Sequence, residues 1–380
     1  MTVWDFIRSK YPNLDEEQFY DKLMTLQLGQ QPDTILKEHR MQLECETKLQ
    51  EIMQKFDLDF RMIKRVKETK DIDWADLIIS IGGDGAFLLA SQMIKDNKKA
   101  MIGVNPTYFS RKRTFSVEHC GEMEKLFEKL RKGKYNLLMR RRIRTVLYGR
   151  NIYDEPYHMD EKIQLVKDII KGKYSDKKHD GVTQSTERKV ADAVQPRRRV
   201  LPWLALNEYS ALFITSFVYM GEFVATGATT LTIQIDDQET KNNILCSGMC
   251  VCTCSGSRSW FRSMNLQAPE TVKRLIKIAL GKDISEEEAS CITRAYHRSL
   301  DFHPEDDRMF YTVREMFRAR TWPRPKSFSA RGMCRQFKVV SHGFDAGLVI
   351  DGGVTLPFND GTIAVFEIHP EDALKNLVIQ

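Results

Sequence analysis

Gly82-Gly83-Asp84-Gly85 puts a carboxylate on a glycine-rich turn. Glycine lets an anion reach backbone N–H groups without a Cβ clash, and a helix start adds a positive dipole end, so such a turn suits phosphate. Asp84 is its unusual part. Beside bound phosphates an acid is repulsive unless a metal ion bridges them or the acid takes a proton from an incoming hydroxyl, and both point to phosphoryl transfer. The plain alternative is a tight turn with a helix-capping Asp84. Two familiar phosphate motifs are excluded. The Gly-Lys pairs at Gly133, Gly172 and Gly281 continue with Tyr, Tyr and Asp rather than Ser or Thr, and Leu88 stands where a dinucleotide fingerprint needs its third glycine.

Three further clusters carry polar groups in strand-like surroundings. Asn207-Glu208 adjoins the apolar Leu204-Ala-Leu206; buried there it needs partners, and an amide beside an acid suits sugar hydroxyls or a base edge. Thr253-Cys254-Ser255-Gly256-Ser257 ends an apolar run and leads to Trp260, which could stack on a planar ligand or sit in a core. Asp351-Gly352-Gly353 ends another strand and alone is a common turn. Cys250-Val-Cys252-Thr-Cys254 invites a metal reading, but strand alternation puts the three sulfurs on one face with no Cys-x-x-Cys or paired histidines, so a buried strand is expected.

The elements that must position these residues follow from pattern. Residues 1–70 read as helical, with an amphipathic helix over 46–56 and a short strand from Asp59. Leu77, Ile78, Ile79 and Ile81 are apolar on both faces, as in a strand covered by helices on both sides, and a helix follows the glycines. Residues 101–106 read as the next parallel strand, so Asp84 and Asn105 both fall at strand C-terminal ends, where ligands of such sheets bind. From Arg140 the pattern turns β-rich. The expected architecture is an N-terminal doubly wound α/β domain over 1–138, with 362–380 packing back on it, and a mainly β domain over 139–361. A polar stretch near 150–200, including Pro196-Arg-Arg-Arg199, reads as a mobile insertion. The run Arg140-Arg-Arg-Ile-Arg144 suits either an anion or the domain junction.

Composition sets outer limits. The chain has 380 residues, 42% of them hydrophobic, a net charge of +6 with Lys and Arg widely spread, and eight irregularly spaced cysteines. These favour anionic small molecules over nucleic acid and reduced thiols in an intracellular compartment. The most apolar window, 204–220, is broken by Asn207, Glu208, Ser210, Thr215 and Ser216, so no membrane insertion is expected. Asp5, Asp15, Glu16 and Glu17 are unlike an organelle presequence.

Taken in order, Gly82-Gly-Asp-Gly85, Asn207-Glu208, Thr253-x-Ser255-Gly256-Ser257 with Trp260, and Asp351-Gly-Gly353 resemble the NAD kinase family, and within it the mitochondrial NAD kinase 2 branch of animals. Trp74-Ala-Asp, Gly103-Val-Asn105, Ser247-Gly248 and Phe358-Asn-Asp-Gly361 extend the likeness from about Trp74 to the C-terminus. The resemblance implies a kinase that transfers the ATP γ-phosphate to the 2′-hydroxyl of the adenosine ribose of NAD+, giving NADP+, with Mg2+ offsetting phosphate charge. It implies Asp84 as catalytic base or positioner, and phosphate binding by the amides of Gly82, Gly83, Gly85 and Ala86. NAD binding falls to Asn105, Asn207, Glu208, Ser255, Gly256, Ser257, Trp260 and Asp351, and Mg2+ is held mainly through phosphates, with Asp84 as a candidate ligand. It further implies a homodimer and the mitochondrial matrix, with the cytoplasm as the alternative. Two departures are visible: Ala86 replaces the family's usual Thr, and Cys254 stands where the animal branch has Gly and other members Pro. The competing readings are a diacylglycerol-type or sphingoid lipid kinase, which shares Gly-Gly-Asp-Gly, and a catalytically weakened NAD-binding regulatory homologue.

Overall fold

The computed structural model describes residues 2–26, 31–63, 70–106, 118–119, 122–149, 152–154, 156–158, 197–206, 208–213, 229–258, 260–317, 328–343, 346–352 and 354–379. The chain divides into two compact units, one formed by Met1–Arg140 with Ala373–Gln380 and the other by Arg141–Asp372.

In the first unit, strand Leu77–Ile81 pairs in parallel with Ala100–Asn105, which pairs in parallel with both Leu374–Ile379 and Glu118–His119; Tyr135–Arg140 closes the order antiparallel to Leu374–Ile379. Register sets Ile79 beside Ile102 and Ile81 beside Val104. Helices Pro32–Lys55 and Met123–Arg131 pack on that face through Cys45, Leu49, Met53, Leu126 and Phe127. Leu77–Ile81 is thus an outer strand of the sheet among the described residues and is half-buried rather than fully covered, which departs from the both-faces reading of its apolar run. No strand forms at 59–63; a strand needs a partner for its N–H and C=O groups, and Phe60 packs on the helical side of the core instead.

In the second unit two antiparallel sheets pack face to face. Six strands run in the order Asn242–Cys246, Thr229–Ile235, Gln336–Ser341, Ile363–Ile368, Ile143–Tyr148, Arg198–Val200. Seven run in the order Arg331–Cys334, Met309–Arg314, Gly248–Cys252, Glu208–Phe213, Ala346–Ile350, Val354–Pro357, Tyr157–His158. Strict alternation buries Leu231, Ile233, Phe337 and Val339 from one sheet against Met249, Val251, Leu348 and Ile350 from the other. The outer face of the second sheet carries Cys250 and Cys252, packed with Phe261 and Leu300. Cys254 lies beyond the strand end, so only two of the three sulfurs share the alternation.

Two substantial helices, Pro269–Leu280 and Glu286–Ser299, are set within this mainly β unit. Their sequence signals are plain: Pro269 in the first turn, Gly281 left-handed at φ 63° as C-cap, and Ser285 in a reciprocal capping box with Glu288.

The insertion expected over 150–200 lies largely outside the described residues, but its end is built into the fold. Arg198–Val200 pairs with Ile143–Tyr148 as an edge strand, where charges deter further pairing. Arg199 donates to Ile152 O at 2.6 Å and lies over the Tyr153 ring. The basic run at 140–144 is likewise bonded to protein: Arg140 Nε to Asn376 Oδ1, Arg141 Nε to Glu305 O, Arg142 Nε to Asp372 O, and Arg144 to both carboxylate oxygens of Asp372. No helix of the described residues is long and apolar enough to cross a membrane.

Candidate functional site

The glycine turn joins the end of Leu77–Ile81 to helix Asp84–Met93. Gly82 holds φ +143°, open to glycine and unfavourable for other residues, and its N–H donates to Val104 O at 2.9 Å. That bond pins the turn beside the end of the neighbouring strand, where Asn105 is buried. Gly83 is the N-cap, extended at φ −81° and ψ −174°, and the helix has no side-chain cap. Asp84 is therefore the first helical residue and Gly83 its cap. Ala86 N–H donates to Gly83 O at 3.0 Å. Of the four turn amides singled out by sequence, those of Gly82 and Ala86 thus serve the backbone.

The other clusters meet at one end of the seven-stranded sheet. Cys252, the last residue of its strand, is in register with Glu208, the first of the next, and Tyr209 pairs with Ile350, the last of the third. Antiparallel pairing of Gly248–Cys252, Glu208–Phe213 and Ala346–Ile350 thus brings out Thr253, Leu206 and Asp351 side by side. Hydrogen bonds join them. Thr253 Oγ1 donates to Leu206 O at 2.5 Å and accepts from Gly256 N–H at 3.3 Å. Asp351 Oδ2 accepts from Leu206 N–H at 3.0 Å. Asp351 holds φ +47° and Gly352 φ +72°, left-handed conformations that Asp tolerates and Gly prefers.

Ser255–Arg258 forms a single 3-10 turn, with Ser255 and Gly256 buried, and Trp260 opens helix Trp260–Asn265. Asn207 lies outside the described residues, as do the side chains of Glu208, Ser257 and Trp260. Cys254 is not among the positive-φ residues, and its buried thiol donates to Phe302 O. The side chain at this departure is therefore buried within the unit on a backbone of ordinary negative φ.

No family model matches the chain. Among curated proteins, "NAD kinase 2, mitochondrial" from Homo sapiens is 28% identical over 383 residues, spanning 98% of this chain and 80% of that protein. The Xenopus tropicalis protein of the same name is 28% identical over 404 residues, spanning 100% and 88%. Over nearly its whole length the chain is thus similar to proteins named NAD kinase 2. A shorter match, 29% over 94 residues, links it to an NAD kinase of Bacteroides fragilis. The crystal structure of an NAD kinase from Archaeoglobus fulgidus in complex with ATP matches with a TM-score of 0.49 at 14% identity, covering 88% of each chain.

Set beside these NAD kinase relatives, the chain has one residue whose role the sequence left undefined. Thr253 was visible as part of a motif, but its double hydrogen bond depends on Leu206, 47 positions away, and no spacing rule announces such a contact.

Proposed function

We propose that the protein is an NAD kinase, transferring the γ-phosphate of ATP to the 2′-hydroxyl of the adenosine ribose of NAD+ to give NADP+. The observation that carries this reading is the likeness to NAD kinases over 98% of the chain or more, and the order of the four clusters agrees with it. In this reading the Gly83 and Gly85 amides receive ATP phosphates. Asp84 orients the 2′-hydroxyl and takes its proton as the O2′–Pγ bond forms and the bond from Pγ to ADP breaks. Phosphoryl transfer asks mainly for positioning and charge stabilisation, which a rigid turn supplies.

Asn207, Glu208, Ser255, Gly256, Ser257 and Trp260 receive the dinucleotide, with Asp351 supporting them and Asn105 contributing from the strand end beside the glycine turn. Magnesium fits this set: Asp84 offers a hard carboxylate oxygen, and among the described residues no group of three or more His, Cys, Asp or Glu could hold a metal alone, so phosphates would supply most ligands. Bound there, the ion would neutralise phosphate charge.

The lipid-kinase alternative gains nothing from relatives whose names specify NAD. By the same family likeness the protein is proposed to be a mitochondrial homodimer, the matrix being the expected compartment. The deciding experiment incubates purified protein with ATP, Mg2+ and NAD+ and follows NADP+, with Asp84→Asn alongside. NADP+ from wild type and a loss of about a hundredfold or more in the variant are expected. Undiminished activity in Asp84→Asn would sink the role given to that acid, and NAD+ binding without product would favour the regulatory homologue.

A further inference from the structure

We infer that Thr253 and Asp351 are positioning residues for the dinucleotide segments, acting by holding both peptide groups of Leu206 at the entrance to strand Glu208–Phe213. The inference rests on the NAD kinase reading for its ligand, but the geometry is independent of it. Leu206 precedes the first residue of strand Glu208–Phe213 by two positions, so the sheet ladder described for that strand does not fix it. Its N–H goes to the Asp351 carboxylate and its C=O receives the Thr253 hydroxyl. Leu206 is fully buried and Thr253 nearly so. Side chains from two other segments therefore do at this strand entrance what ladder bonds do inside the strand.

Thr253 has a second task. The same oxygen accepts from Gly256 N–H, so the turn that begins at Ser255 is referenced to the peptide that leads into Asn207. One hydroxyl thereby sets the spacing between the two segments given to the dinucleotide. Asp351, held at φ +47° in its hairpin, sets the third. A carboxylate bonded to a buried amide is a strong tie, and removing either side chain leaves a buried backbone group without its partner.

The geometry predicts a selective defect. Thr253→Val keeps the shape and removes both hydrogen bonds; KM for NAD+ should rise about tenfold, while KM for ATP stays within about twofold. Thr253→Ser, which keeps the hydroxyl, should restore KM for NAD+ to within about twofold of wild type. Asp351→Ala should raise KM for NAD+ by a similar factor. Because both side chains act through Leu206, the double variant should fall short of the product of the two single effects.

A readout without catalysis accompanies the kinetics. Hydrogen exchange on the full chain should be faster in Thr253→Val over 206–209 and 255–258 and unchanged in the first unit. Equal rises in KM for NAD+ and ATP, no rescue by Thr253→Ser, fully multiplicative single effects, or unchanged exchange at 206–209 would each overturn the inference. Wild-type protein that makes no NADP+ would instead overturn the functional reading, and the exchange comparison would still decide the clamp.

Discussion

Gly82 and Gly85 sit three residues apart in one turn, yet the structure asks different things of them. Gly82 holds φ +143°, and a Cβ there would stand 2.8 Å from Ala86 Cβ, where carbon atoms in contact prefer about 3.5–4.0 Å. Gly82→Ala therefore incurs backbone strain of about 1–3 kcal/mol and overpacking of about 1–3 kcal/mol. Allowing some relaxation, a loss of about 2–5 kcal/mol is expected, a large share of a typical folding stability of roughly 5–15 kcal/mol. That should lower the melting temperature of the first unit by roughly 4–20 °C. It should also disturb the Gly82 bond to Val104 that pins the turn. Gly85 has no positive φ, and a Cβ there meets nothing within 4 Å. Gly85→Ala should fold normally and gain up to about 1 kcal/mol, because alanine loses less conformational freedom in a helix. Its cost should appear only with ligand: a methyl group beside the amide blocks close phosphate approach, raising KM for ATP on the order of tenfold with KM for NAD+ little changed. The assay pairs thermal unfolding with initial rates at varied ATP and NAD+. A Gly82→Ala protein as stable as wild type would refute the strain argument, and a Gly85→Ala enzyme with wild-type KM for ATP would refute phosphate approach at that amide.

Burial pushes the Cys246 thiol up to about 12, against about 8.5 in an unfolded chain. The folded state keeps a proton that the unfolded state releases, so this contribution is complete below about pH 8.5 and is lost as pH rises toward 12. Urea unfolding from pH 8 to 10 should show stability falling with pH and a shallower slope in Cys246→Ala, with buried Cys334, raised for the same reason, contributing to the slope that remains. An unaltered slope in the variant would refute this attribution. The proposed homodimer should appear as twice the chain mass in light scattering, and a monomer at tens of micromolar would reject it.

The sequence by itself determined the local facts. Four polar clusters in strand-and-turn contexts marked the candidate phosphate turn and the candidate dinucleotide segments, because glycine-rich turns and polar residues in apolar runs are local signals. Alternation gave Thr229–Ile235 its strand. The helices Pro269–Leu280 and Glu286–Ser299 are also legible, through Pro269, Gly281 and Ser285, within a region whose remaining pattern is β. Tertiary structure alone decided which of those signals act on one another. That Gly82 spends its amide on Val104, that Cys254 turns its thiol to Phe302, and that Arg144 is bound by Asp372 are contacts between residues far apart in sequence, fixed by strand order and register. The same holds for Asp351, whose carboxylate reads as a ligand group in sequence and holds the backbone of Leu206. A motif states which groups are present; only the pairing of strands states where their hydrogen bonds go, because a buried N–H or C=O takes whichever partner the fold brings within reach.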